Sequence, residues 1–431
     1  MRRRLILPGG PAVFLAALAL PCCTSVAGLD SLEFVDRPAD GGLKDSAGAG
    51  GSAPDGAAGA LTGGSAGASG QGGGVAGGGG ADASQDVDPS ACSATQLDCD
   101  GDTSNGCETD ATSHPQHCGA CGHDCKGGAC QSGACQAVLV DSHGGSDVAS
   151  DATHVYWTHN LGGGGCKEKL YRCAVPGCAA VEAVATGMDI AYGIAVDSDK
   201  VFWLGDNAIL TWIKGGTCTS CTPPTGDACT VVLDSPGMPW FLAADASHLY
   251  WAAWPKGLSR LPKAGGTTQV LDANGSADCQ PAVTADRLYY VVGDTIMGCT
   301  TASGCADKAA VAKPSSQNEW GEVWEIVAYG GAVYWTDKLN GKILRCAQAD
   351  CGISAEIVGQ AAEGTVALAV DASGLYFADG SGRIYMCPPA GCSGAPKILS
   401  DQATGIREGS IALAPDAVYW AGWGTIMRVV K

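Results

Sequence analysis

The stretch that decides the fold is Val333-Tyr334-Trp335-Thr336-Asp337, followed after a short turn by Gly341-Lys342-Ile343-Leu344-Arg345. Its aliphatic–aromatic–aromatic core recurs as Val155-Tyr156-Trp157, Val201-Phe202-Trp203, Leu249-Tyr250-Trp251, Leu288-Tyr289-Tyr290, Leu375-Tyr376-Phe377 and Val418-Tyr419-Trp420. In chain order the seven central aromatics lie 46, 48, 39, 45, 42 and 43 residues apart. An aliphatic run precedes most of them, as in Ile194-Ala195-Val196 and Leu368-Ala369-Val370, and two more follow, as at 169–173 or 342–346 and at 230–233 or 268–271. Four short strands per unit, Gly/Asp turns and almost no helical periodicity predict an all-β fold, a β-propeller of about seven four-stranded blades over 136–431. One such sheet leaves apolar faces bare, and radial stacking of blades buries both. The last unit has three strands, at 411–414, 418–421 and 425–430. Its fourth is expected upstream, in Ala137-Val138-Leu139-Val140, which closes the ring and removes an open edge.

Tyr334-Trp335-Thr336-Asp337, with the strand after it, resembles the YWTD (LDL-receptor class B) propeller repeat. The resemblance runs over 148–431 in pattern, but the full tetrapeptide occurs in that one blade. That class implies six blades; the count here is seven.

Two further rows follow the repeat. Asp151, Asp197, Asp245, Asp286, Asp371 and Asp416 stand near the first hairpin of six units and are expected to serve Asx-type turns, not a ligand. Cys173 and Cys178, Cys299 and Cys305, Cys346 and Cys351, and Cys387 and Cys392 bracket the turn between third and fourth strands, close enough to form disulfides. Cys218, Cys221 and Cys229 fill that place in the second unit, while Cys166 and Cys279 have no repeat equivalent.

Upstream, Arg2, Arg3 and Arg4 precede an apolar run over 12–20, which is shorter than the roughly 20 residues a bilayer requires. Leu20-Pro21-Cys22-Cys23-Thr24 resembles a bacterial lipobox, which implies cleavage and lipidation at Cys23, with Leu20 three residues before it. Cys22 is the alternative site, and an ordinary signal peptide is the alternative reading. Residues 41–80 hold 18 glycines in 40 with no apolar periodicity, so 24–91 is expected to be a disordered linker. Gly63-Gly64-Ser65-Ala66-Gly67 and Gly72-Gly73-Gly74-Val75-Ala76-Gly77 imitate catalytic and dinucleotide motifs there, but neither has the strand and helix such motifs need.

Residues 92–135 carry eight cysteines and few aliphatic residues, so cross-links must hold them. Asn105-Gly106-Cys107-Glu108 and His117-Cys118-Gly119-Ala120-Cys121-Gly122 resemble the Cys-rich modules of bacterial surface lipoproteins. Cys118 and Cys121 with His117 and His123 offer a second reading as zinc ligands, but an exported chain favours disulfides. Asp98, Asp100 and Asp102 alternate as in a calcium loop, yet Thr103 stands where an EF-hand needs Gly and Thr109 where it needs Glu. No metal or other cofactor is therefore expected.

Net charge is −19, divided as −9 over 1–135 and −10 over 136–431, with no Lys/Arg stripe, which argues against a nucleic-acid partner. No HExxH motif occurs, and no Ser/His/Asp set can be assembled. Aromatics outside the repeat rows fall in loops that lead into first strands or join second to third strands, and both loop types open on one face of a propeller. They include Tyr192, Trp240, Trp254, Trp320, Trp324 and Trp423, with Glu319, Glu325, Arg407 and Glu408 nearby. Trp240, Trp254, Trp320, Trp324, Trp423 and Arg407 are the candidate ligand-binding residues, because exposed aromatics beside charges make recognition surfaces. The expectation is a non-enzymatic binding or scaffold protein of the bacterial outer membrane or cell surface. It is monomeric, attached to membrane only through its N-terminal lipid, and recognises a protein or glycan. A propeller-type lyase or hydrolase acting on an exported substrate is the alternative, and a purely structural adhesin is a third.

Overall fold

The computed structural model describes residues 92–431 apart from 103, 143–144, 160–167, 189–190, 206–207, 217, 219–228, 235, 278, 314–322, 348–350, 353, 402–404 and 423. The lipidation site at Cys23 and the glycine-rich segment lie outside the described residues. Among those described there is no helix.

Seven antiparallel sheets follow one another along the chain. Blade 1 is built from Asp147–Ser150, His154–His159, Glu168–Ala174 and Val181–Met188. Blade 5, the unit read first, is Val323–Tyr329, Ala332–Asp337, Lys342–Cys346 and Glu356–Gln360. Blade 3 carries an extra segment, Met238–Pro239, paired to the far end of its second strand. In blade 7 the fourth place is taken by Val138–Asp141, with Leu139 opposite Met427 and Val138 opposite Arg428. Asp141 of that strand also accepts the Trp157 indole N–H at 3.0 Å, so the closing strand ties blade 7 to blade 1.

The ring is held by aromatic layers, one in each gap. The first aromatic of each triplet faces the following blade and the second faces the preceding one. Tyr156 therefore meets Trp203, Phe202 meets Trp251, Tyr250 meets Tyr290, and Tyr289 meets Trp335. Tyr334 meets Phe377, Tyr376 meets Trp420, and Tyr419 closes the circle on Trp157. Trp157, Trp203, Trp251, Trp335 and Trp420 are fully buried. The central aliphatic–aromatic–aromatic triplet of every second strand is covered on both faces, which is why it reads as a continuous apolar run and not as an alternating one.

The Asp row is more selective than its spacing suggests. Asp151, Asp197, Asp245 and Asp371 each accept the backbone N–H groups two and three residues on, as an Asx turn requires. Asp286 and Asp416 do not belong to it. Measured from the first aromatic, their blades place Thr284 and Ala414 at the turn position, and Thr284 accepts the Arg287 N–H through its hydroxyl. Three of the turn carboxylates are also latched by a lysine from the following blade: Lys214 to Asp151 at 2.6 Å, Lys263 to Asp197 at 2.8 Å, and Lys431 to Asp371. Each lysine lies over the aromatic of the blade that it grips, Tyr156, Phe202 or Tyr376.

Disulfides join Cys173 to Cys178, Cys299 to Cys305, Cys346 to Cys351 and Cys387 to Cys392. In blade 2 the pair is Cys218 and Cys229. The Cys-rich module holds four more: Cys92–Cys107, Cys99–Cys121, Cys118–Cys130 and Cys125–Cys135. Cys118 and Cys121 are thus spent on different disulfides. His117 and His123 bond to the Gly122 N–H and the Cys118 carbonyl, so the zinc reading has no ligand set. The module rests on the last strand of the ring: Val430 packs on its disulfides, and Arg428 donates to the Lys126 carbonyl.

Candidate functional site

The loops leading into first strands and those joining second to third strands lie on one face, because neighbouring strands are antiparallel. Blade 3 concentrates apolar exposure there. Met238 stands opposite Trp254 in the sheet, and Trp240 follows two residues on. Met238 is 58% exposed, Trp254 68% and Trp240 44%, against complete burial of the repeat tryptophans. The Tyr192 ring, from the loop leading into blade 2, lies 5.6 Å from that of Trp240 and supports it. Gly193 permits this approach, since a Cβ there would fall 2.7 Å from the Trp240 carbonyl oxygen. Gly237 acts similarly beneath the Met238–Trp254 pair: its φ is +102°, and a Cβ would meet that of Ala253 at 2.9 Å.

The other expected residues part from this patch. Trp324 lies within the first strand of blade 5 and not in the loop before it, half-buried, with the Lys338 ammonium 3.5 Å from its ring centroid. Arg407 belongs to the first strand of blade 7, Ile406–Leu413, where only its backbone is described. Trp320 and Trp423 lie outside the described residues. Leu339, in the turn after Lys338, is exposed on the same face and was not singled out by sequence.

The ring axis is the second concave feature. A pocket of about 410 Å³ is lined by the first strands of blades 1, 2, 5, 6 and 7 and by Gln280, which precedes that of blade 4. Asp147 and Glu325 stand at equivalent places, each ten residues before the second aromatic of its blade, Trp157 and Trp335. Asp147 Oδ2 accepts the Ile194 N–H at 2.9 Å, and Glu325 Oε2 accepts the Leu368 N–H at 2.6 Å, so each carboxyl bridges to the following blade. Burial pushes the Asp147 carboxyl up to about 7, against the lowering effect of the Ile194 and Val148 N–H groups. Burial also raises Glu325 well above its usual range; the Leu368 N–H opposes this and the Asp147 charge adds to it. The sequence named Glu325 only as a neighbour of the aromatics and missed Asp147. Counting back from the aromatic row would have paired them.

Two smaller constellations complete the inventory. His159 and Glu168 are buried in blade 1 with Nδ1 and Oε2 3.6 Å apart. In the Cys-rich module the carboxylates of Asp98, Asp100 and Glu108 gather within 4.8 Å. Asp102, the third member expected for a calcium loop, instead turns to the Ser104 hydroxyl and N–H.

No protein-family model matches the chain, and no curated protein matches it. Solved structures do. The catalytically inactive virginiamycin B lyase from Staphylococcus aureus with quinupristin aligns with TM-score 0.52 at 14% identity, covering 69% of this chain and 98% of that one. YCF48 bound to D1 peptide aligns at 0.50 with 15% identity, covering 69% and 96%. The WD40 β-propeller domain of Doa1 aligns at 0.51 with 12% identity, covering 68% and 97%. At these identities the likeness is one of fold: the chain is a seven-bladed β-propeller with a small disulfide-bonded module ahead of it.

Proposed function

We propose that this is an exported, non-enzymatic recognition protein that binds a protein or glycan ligand through the loop face of blades 2 and 3. The observation that carries the reading is the exposure of Met238, Trp240 and Trp254 side by side, with Tyr192 behind them. Large aromatics left in water beside a rigid scaffold cost solubility and supply contact area at low rotamer cost, as binding hot spots do. Nine disulfides among the described residues support an oxidising compartment. The lipobox-like Leu20-Pro21-Cys22-Cys23 supports lipid anchoring at Cys23 on a bacterial outer membrane or cell surface. The resemblance of blade 5 to the YWTD repeat is in keeping with recognition outside the cytoplasm.

The test is capture of ligands from a glycan array and from surface-protein extracts by the full chain, set against a Trp240→Ala/Trp254→Ala variant. Undiminished capture by a folded variant overturns the reading. The second reading, a propeller lyase or hydrolase, is favoured by one observation, the buried His159–Glu168 pair. Turnover of an exported substrate that is lost in His159→Gln would establish it instead.

A further inference from the structure

Among the described residues, the axial pocket is more exposed toward the face opposite the exposed tryptophans. Its first strands run from the tryptophan-bearing loops toward the first hairpins. At the hairpin end the lining residues Ser150, Val327, Val370, Asp371 and Leu413 are partly exposed; at the other end Asp147, Ile194, Glu325, Leu368 and Ile411 are buried and Gln280 is partly exposed. The result is a funnel with aliphatic walls and a floor of two carboxyl groups.

The polar inventory of that floor is unbalanced. Both Asp147 oxygens accept backbone N–H groups, from Val148 and Ile194. Glu325 is 5% exposed and spends Oε2 on the Leu368 N–H, while Oε1 takes no hydrogen bond among the described residues. Gln280, bridged through its backbone to Glu325, brings an amide to the same pocket. Among the described lining residues there is no Lys, Arg or His, and the one other acid, Asp371, is already latched by Lys431. Buried carboxylates in proteins are paired or hold a metal. A hard divalent metal needs six or more oxygen ligands, and walls made of valine, leucine and isoleucine cannot supply them. An alkyl chain ending in a cation suits both wall and floor.

We propose that the axial funnel is a binding site for an aliphatic ammonium group, which donates to Glu325 Oε1 and is neutralised by Glu325 and Asp147. The chain of the ligand lies against Val148, Val327, Val370 and Leu413. Free alkylamines and the lysine side chain of a partner share this chemistry. Because burial favours the protonated form of both floor carboxyls, uptake of the cation expels protons, and its affinity rises with pH.

The test is titration calorimetry of the full chain with n-butylammonium chloride, with n-butanol and sodium chloride as controls. Nα-acetyl-lysine methylamide serves as a second probe and separates a peptide side chain from a free amine. Saturable binding of one ammonium probe per chain is expected, at least tenfold weaker in Glu325→Gln and absent for butanol. Measured heats should also differ between phosphate and Tris at pH 7 by the ionisation heat of the buffer. No saturable binding of either ammonium probe, equal affinity in Glu325→Gln, or butanol binding as well as butylammonium overturns the proposal. If Glu325→Gln does not fold, the wild-type protein decides: saturable binding of butylammonium without binding of butanol supports the proposal, and its absence overturns it.

Discussion

Asp147 of blade 1 accepts the backbone N–H of Ile194 in blade 2 at 2.9 Å, and Glu325 of blade 5 makes the same reach to Leu368 of blade 6. Ile194 and Leu368 hold the same register, one place beyond the carboxyl-bearing position of their own blades. Ser410, at that position in blade 7, turns its hydroxyl to the Ser146 carbonyl of blade 1. Side chains at one level of the inner strands therefore knit neighbouring blades across gaps that the sheets cannot bridge by themselves.

Asp147 makes stability depend on pH in an unusual direction for a carboxyl. Its folded pKa of about 7 lies above the value of about 3.9 expected for an unfolded chain. The folded state then holds the proton more tightly, so the contribution of Asp147 is greatest below about pH 4 and falls as pH rises toward 7. At about 1.4 kcal/mol per pKa unit, the loss approaches about 4 kcal/mol as a ceiling. Asp147→Asn keeps an acceptor for Ile194 and removes the titration. Urea unfolding at pH 5 and pH 8 should show the variant gaining on wild type as pH rises.

The Lys263–Asp197 latch has the opposite sign. Burial opposes ionisation of Asp197, but Lys263 and the turn N–H groups outweigh it and hold its pKa below the usual value. Its contribution is present above the unfolded pKa and is lost as pH falls through the folded one. Lys263→Met should cost about 1–2 kcal/mol at pH 7, in the range of a charge-assisted hydrogen bond, and little at pH 2. Chemical denaturation at the two pH values measures it.

Ring closure depends on Leu139 opposite Met427. Removing residues 1–145 strips the fourth strand of blade 7 together with the Asp141 acceptor of Trp157. A thermal transition lowered by well over 10 °C, or aggregation through the bared strand edge, is expected by scanning calorimetry and light scattering. An unchanged transition would show that closure contributes nothing.

Tryptophans of the two kinds should respond in opposite ways. Trp335→Ala removes a fully buried ring and is expected to cost about 3–5 kcal/mol in denaturant unfolding. Trp254→Ala should leave stability within about 0.5 kcal/mol, as exposed sites do, yet weaken a captured ligand by about 2 kcal/mol if it is a hot spot.

Lipid attachment is read from Cys23→Ala in the producing cell. Release of the chain from membranes and loss of the diacylglyceryl mass are expected; full retention with unchanged mass points to Cys22 instead.

The blades were legible in the sequence because each repeats a demand that packing makes seven times over. A second strand covered on both faces must place one aromatic toward each neighbour, so Tyr156-Trp157 and its equivalents mark every unit. The closing strand was legible for a related reason, since three strands at 411–430 leave an edge and Val138–Asp141 carries the matching apolar run. Disulfides such as Cys346–Cys351 followed from short spacing across one turn. The Asp row was over-read, because nearness to a hairpin does not fix register: Asp286 and Asp416 stand two residues past the place that Thr284 and Ala414 occupy. What only the tertiary structure decided is which distant residues share a level of the ring. Asp147 and Glu325 are far apart in the chain and meet at one pocket because seven blades close on an axis. Trp254 ends the second strand of blade 3 and Trp240 follows its extra segment, both on the loop face, whereas Trp157 and Trp335 lie inside the gaps between blades. Side-chain type sets what a residue prefers to touch, but burial depends on where the neighbouring blade comes to rest.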